Sequence, residues 1–190
     1  MSLEIEAKLK VDSHEPVRNR LAALGAAYVG RVLESNHIFD TADGQLLAGD
    51  RGLRVRTCQV EDGPAIQATF TYKGPREDMA LKSRQQLETV VEDGETVVRI
   101  LTALGFREMV HFQKRRETWR LGECAVELDT LPYLGCYVEI EGPHERDVRD
   151  VQEQLALGHV AHEPESYIAL LAEHCRRNNL PTVPIWLEDA

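Results

Sequence analysis

The sequence predicts an α+β domain whose strands close into a barrel with a charged interior and helices packed around it. Three observations carry that prediction. Stretches with a period of two recur along the chain. Four amphipathic stretches of helical period interrupt them. The polar members of the alternation are mostly charged, and acids and bases sort by strand, although lysine and glutamate are ordinarily depleted in strands.

The first period-two stretch is Leu3 to Val11. Leu3, Ile5, Ala7 and Leu9 share one face, and Glu4, Glu6, Lys8 and Lys10 the other. Helical spacing from Glu15 to Leu24 ends at Gly25, a C-cap residue. Tyr28 to Phe39 reads as a strand, and Thr41-Ala42-Asp43-Gly44 as a turn. Strands follow at Gly52–Val60, Ala65–Lys73 and Leu81–Val91, separated by Glu61-Asp62-Gly63-Pro64 and by the break at Gly74-Pro75. A second helix, Glu95–Leu104, is closed by Gly105. Phe106–Arg120 and Glu123–Leu131 pair around Leu121-Gly122, and Gly135–Glu141 completes the strands. Helices near Arg146–Leu157 and Glu165–Arg177 finish a single domain over residues 1–180. The tail at 181–190, with two prolines, is expected to lie outside the core.

Arg20-Leu21-Ala22-Ala23-Leu24-Gly25 resembles Arg99-Ile100-Leu101-Thr102-Ala103-Leu104-Gly105, and each follows a charged strand and precedes another. Duplicated halves and a chance likeness of two helix ends fit this equally well.

Bulk composition narrows the function. The chain has 190 residues, 22 basic and 32 acidic side chains, and a formal charge of −10. That field repels nucleic acid and anionic lipid, so neither is an expected partner. The acidic N-terminus has no signal-peptide pattern, and no apolar run reaches membrane-spanning length, so a cytoplasmic location is expected. Cys58, Cys124, Cys136 and Cys175 form no C-x-x-C pair and read as free thiols. The seven histidines are scattered and read as surface or packing residues, His159-x-x-His162 included.

For any one strand, charges facing water on an ordinary sheet explain the alternation. The set together favours an inward-facing arrangement. Arg54 and Arg56 lie on one strand, Thr69, Thr71 and Lys73 on the next, then Lys82, Arg84, Gln86 and Glu88. Lys114, Arg116 and Thr118 follow, then Glu127 and Asp129, and last Tyr137, Glu139 and Glu141. Buried charge needs compensation, which acid–base pairs, a polyanion and divalent cations would supply. Arginine suits bidentate phosphate contacts, and carboxylates suit hard cations. No G-x-x-x-x-G-K-[ST] loop, G-x-G-x-x-G fingerprint or Ser-His-Asp set competes.

With these residues in view, the chain resembles the CYTH superfamily, the triphosphate tunnel metalloenzymes. Glu4-x-Glu6-x-Lys8 is similar to its E-x-E-x-K signature. The ordered landmarks are Leu53-Arg54-Val55-Arg56, Thr71-Tyr72-Lys73-Gly74-Pro75, Lys82-x-Arg84-x-Gln86-x-Glu88, Lys114-x-Arg116, Leu128-Asp129, Leu134-Gly135, Glu139-Ile140-Glu141 and Ser166-Tyr167. The resemblance covers roughly Met1 to Arg177 and implies an eight-stranded antiparallel tunnel acting on a triphosphate with two divalent ions, magnesium or manganese. It implies metal ligation by Glu4, Glu6, Asp129, Glu139 and Glu141. Triphosphate binding would fall to Lys8, Arg54, Arg56, Lys73, Arg84, Lys114 and Arg116. Glu4, Glu6, Lys8 and Lys114 would be catalytic, with Lys82, Glu88 and Glu127 in support.

The Tyr-Lys-Gly-Pro segment and the length look most like class IV adenylyl cyclases, which implies conversion of ATP to cyclic AMP and pyrophosphate. A triphosphatase acting on inorganic, thiamine or nucleoside triphosphate is the alternative. A non-catalytic nucleotide- or polyphosphate-binding module ranks last, because the carboxylates are present. Family analogy also suggests a homodimer. Gln86 departs from the usual glutamate, and Tyr137 from the usual phenylalanine.

Overall fold

The computed structural model describes residues 2–60, 65–76 and 82–187, with side chains at 5–60, 67–75 and 84–187. Eight antiparallel strands form a closed barrel in the order β1-β5-β4-β3-β2-β6-β7-β8. They are β1 (Ser2–Val11), β2 (Ala27–Asp40), β3 (Gly52–Val60), β4 (Ala65–Arg76), β5 (Lys82–Val91), β6 (Arg107–Leu121), β7 (Cys124–Leu131) and β8 (Gly135–Gly142). β8 returns to β1 through Lys8↔Glu139 and Lys10↔Tyr137, so the ring closes without an exposed sheet edge.

The helices are α1 (Glu15–Ala23), α2 (Gln45–Ala48), α3 (Gly94–Ala103), α4 (Glu145–Gln154) and α5 (Tyr167–Asn178). The short α2 is absent from the sequence expectation. The Asp40 carboxylate holds it by accepting hydrogen bonds from the backbone of Leu46 (2.8 Å) and Leu47 (3.0 Å). Ser166 caps α5 by accepting from the Ala169 amide at 3.2 Å.

The strand order supports the duplicated-halves reading of the repeat. One half runs β1-α1-β2-β3-β4, the other β5-α3-β6-β7-β8. Exchanging the halves maps the ring onto itself, with β1 beside β5 and β2 beside β6. Both long helices end alike. Gly25 (φ 71°) and Gly105 (φ 91°) take left-handed conformations. The amides of Ala26 and Phe106 then donate back to Leu21 and Leu101, each at 3.0 Å.

Alternation divides the barrel wall. Outward apolar side chains meet the helices: Ile5, Ala7, Leu9, Val126, Leu128, Val138 and Ile140 pack with Val17 and Leu21 of α1 and Val148 and Val151 of α4. On the other half, Leu101 of α3 covers Phe39, Leu53 and Val55. Each fully buried Leu, Ile or Val contributes about 1.5–3 kcal/mol by leaving water.

At one end the inward positions turn apolar. Ile38, Val110, Phe112, Leu131 and Tyr137 share a cluster with Tyr167, Leu171 and Cys175 of α5. The helix therefore stoppers the barrel. The tail expectation fails here: Ile185 is 1% exposed and belongs to this plug. β7 begins pairing with β6 only at Arg115. The preceding edge of β6 needs other partners, and the tail supplies them. The Ile185 amide donates to the His111 carbonyl (2.7 Å), and the Gln113 amide donates to the Ile185 carbonyl (3.0 Å). Among the described residues, no helix is long and apolar enough to cross a membrane.

Candidate active site

Cross-strand register brings the charged residues together. Opposing residues of paired strands share a face. Lys8 lies opposite Glu139, Glu139 opposite Glu127, Asp129 opposite Arg116, and Lys114 opposite Glu34. Arg56 lies opposite Asn36 and Thr69, and Arg54 opposite Thr71, which is opposite Glu88. These positions form the inner face, and the apolar parity faces the helices.

On β6, β7 and β8 the acids crowd around one guanidinium. Arg116 donates to Asp129 through Nε (2.7 Å) and a terminal nitrogen (2.5 Å), and to Glu139 at 2.5 Å. It also pairs with Glu127. Lys114 donates to the same Asp129 carboxylate at 2.9 Å. Burial penalises a charged guanidinium, but Asp129, Glu127 and Glu34 outweigh it and hold Arg116 charged. Three acids thus face this one guanidinium, with Lys114 and Lys8 as further counter-charges to Asp129 and Glu139. Burial lifts Glu127 to about 7, with Asp129 and Glu139 adding to the effect and Arg116 opposing it. Clustered buried carboxylate oxygens fit a divalent cation.

The facing wall is basic, with an acid that the sequence reading missed. Glu34 is 2% exposed and lies 3.2 Å from Arg56, 3.5 Å from Lys114 and 3.9 Å from Arg116. Burial would raise its pKa, but Arg56, Lys114 and Arg116 hold it well below the usual carboxylate range. Arg56 also donates to the Asn36 side chain at 3.1 Å. Glu88 orients this wall, pairing with Arg54 at 3.7 Å and accepting from the Thr71 hydroxyl at 2.7 Å. Arg84 reaches Asp50 at 3.6 Å, a second acid outside the expected set. Several buried polar atoms here lack a hydrogen-bond partner: Thr69 Oγ1, Arg84 Nε and Asn36 Nδ2. Each of the three can donate, and phosphate oxygens fit as acceptors, whereas Gln86 Oε1, likewise without a partner, can only accept.

Tyr167 joins the two walls at the floor. The Lys8 ammonium sits 4.1 Å from its ring centroid and that of Lys114 5.2 Å. Lys8 also donates to the Glu165 carbonyl (2.9 Å) and lies 3.7 Å from Glu139. Burial, then Glu139 and Asp129, push the Tyr167 hydroxyl well above its ordinary pKa.

The remaining expected residues lie nearer the rim. Glu6 is buried at 9%, opposite Glu141, which is exposed. Lys73 is half-buried opposite Gln86. The side chains of Glu4 and Lys82 lie outside the described residues. Their backbones pair with Arg84 and Glu6. His162 is committed elsewhere, to Gln152 at 2.8 Å, and His159 is exposed. All four cysteines are free.

Comparison with known proteins agrees with this architecture. The CYTH domain model matches residues 2–168. A Methanocaldococcus jannaschii protein provisionally named an adenylate cyclase is 30% identical over 152 residues, covering 80% of this chain and 81% of its own. The Aeromonas hydrophila adenylate cyclase CyaB is 25% identical over 190 residues, covering 93% and 92%. Among solved structures, a Pyrococcus horikoshii protein superposes with a TM-score of 0.75 at 26% identity, covering 88% of this chain and 98% of its own. A Hippeastrum protein, provisionally named an adenylyl cyclase and described as having a dominant triphosphatase activity, superposes at 0.67 with 17% identity, covering 95% and 97%. With a family model spanning most of its length and a barrel of matching topology, the chain belongs to the CYTH domain family.

Proposed function

We propose that the barrel binds ATP with divalent metal and converts it to cyclic AMP and pyrophosphate. The observation that carries this reading is the division of one closed interior into an acidic wall around Arg116 and a basic wall around Glu34. Arg54, Arg56, Lys73 and Arg84, with Lys8, Lys114 and Arg116, are the donors for phosphate oxygens. Glu6, Glu127, Asp129, Glu139 and Glu141 are the oxygen donors for magnesium or manganese, and Glu4 belongs with them by its sequence motif.

In the reaction the ribose 3′-oxygen bonds to the α-phosphorus, the bond from that phosphorus to the α,β-bridging oxygen breaks, and pyrophosphate departs, with the hydroxyl proton passing to solvent or to the pyrophosphate. The bound cations would supply Lewis-acid activation of the hydroxyl and charge neutralisation of the phosphates. The chain's own residues fix the triphosphate in line and hold donors where negative charge grows on the leaving group. Tyr167 keeps Lys8 and Lys114 aligned beneath the acids. The names of two relatives favour the cyclase reading.

A triphosphatase is the second reading, favoured by the described activity of the Hippeastrum neighbour. The same walls would then place water rather than ribose in line. Incubation of the pure protein with ATP and magnesium or manganese separates the two. Cyclic AMP with equimolar pyrophosphate supports the cyclase. ADP with phosphate transfers the assignment to a triphosphatase. No turnover of ATP, inorganic triphosphate or thiamine triphosphate rejects both. Glu139→Gln should lower kcat at least about 100-fold if the acidic wall holds the metal.

A further inference from the structure

Outside the barrel, on the β2–β6 seam, a second cluster has ligand chemistry of its own. His37 and His111 lie directly opposite in register, with rings stacked at 3.9 Å between centroids and 26° between planes. Glu108 joins them through a register shift. Ile38 pairs with Val110 and Phe39 with Glu108, so Met109 is an extra residue. Such a bulge re-aims the side chains beside it. Val110 points into the plug, while Glu108 shares the outer face with Phe39 and meets His37 Nδ1 at 2.5 Å. One ligand atom from each of the three residues lies within 4.8 Å of the others.

We propose that His37, Glu108 and His111 form a binding site for a transition-metal ion with the preferences of zinc, with solvent completing the coordination. Two imidazoles and one carboxylate suit zinc, whereas the all-carboxylate tunnel set suits magnesium or manganese. A tetrahedral ion with bonds of about 2.0–2.1 Å spaces its donors at about 3.3 Å, so the 2.5 Å contact between His37 and Glu108 would open and the wider separations, none above 4.8 Å, would close around the ion. The surroundings support the site. The Ser35 hydroxyl lies 2.8 Å from His111 Nε2 and orients the ring. Trp186 packs edge-on at 5.1 Å between centroids, and the His111 backbone is held by Thr182 and Ile185. A bound ion would join β2 and β6. The inference is independent of the chemistry proposed for the tunnel.

Calorimetric titration of the full chain with Zn²⁺, in excess Mg²⁺ to occupy tunnel carboxylates, tests it. Histidine-ring NMR is recorded alongside. One equivalent should bind, with the ring signals of His37 and His111 shifting and those of the other histidines unmoved. His111→Gln should weaken binding at least about 100-fold, and Ser35→Ala, which removes only the orienting hydroxyl, about 10-fold. Glu108→Gln preserves a hydrogen bond to His37 while removing a charged ligand, so it guards against a folding artefact, and it should also weaken binding at least about 10-fold. Zinc binding of equal affinity in the wild type, His111→Gln and Glu108→Gln would overturn the proposal, as would no binding to the wild type.

Discussion

Glu34→Gln tests the electrostatic logic of the barrel most directly. The carboxylate lies between Arg56, Lys114 and Arg116 at 3.2, 3.5 and 3.9 Å. At an effective dielectric of about 20, each contact is worth about 4–5 kcal/mol before desolvation. Desolvation offsets much of that, but removing one partner of a buried pair still costs about 3–5 kcal/mol, because the remaining charges stay buried. Glutamine keeps the volume and one acceptor, so about 3 kcal/mol is expected. For a chain of this size that lowers the melting temperature by about 6–12 °C. The same substitution should tighten inorganic tripolyphosphate. Relief of one such charge–charge repulsion, about 2 kcal/mol, corresponds to about 30-fold in Kd. Thermal melts and titration calorimetry at low salt read the two effects. A variant as stable as the wild type, or one that binds tripolyphosphate more weakly, would refute the assignment of Glu34 as the counter-charge of the basic wall.

Three further predictions concern the scaffold. Ile185→Ala should destabilise by about 2–4 kcal/mol in urea unfolding, since it opens a cavity beside Leu171 and Phe112. Gly142→Ala would place a Cβ 2.7 Å from Cys124 Sγ and 3.1 Å from Val148 Cγ2. It should cost about 1–3 kcal/mol, and pairing it with Cys124→Ala should recover part of the loss. His14 is buried with Nε2 donating to the Tyr137 carbonyl at 3.0 Å, and burial lowers its pKa. Its unfolded form binds the proton more readily. The stability from neutral His14 is therefore complete above pH 6.5 and is lost as pH falls from there through the depressed value. Urea midpoints between pH 5 and 8 should slope less in His14→Gln.

Much of the fold was legible because alternation is a local signal. The parity of Lys8, Arg54, Arg116 and Asp129 in the sequence is the parity of the inner wall. Glu34 escaped because β2 is polar on both faces around it, with Ser35 and His37 outside and Asn36 inside, so its alternation carried no contrast. Ile38, Val110, Phe112 and Tyr137 break the rule that inward means charged. That break comes from α5, packed against them from far along the chain. The tail was misread because its prolines suggest a loose end, whereas Ile185 answers a vacancy on β6 that only the register of β7 reveals. The His37–Glu108–His111 cluster depends on a one-residue bulge and a cross-strand pairing, and neither leaves a mark in the sequence.

The stopper formed by α5 governs traffic. Phe112, Leu171, Cys175 and Ile185 are each at most 4% exposed, so that end of the barrel is not a passage. Whatever enters the barrel does not leave at this end. A long anionic chain could insert its end but could not thread through, which sets a length limit independent of any binding contact.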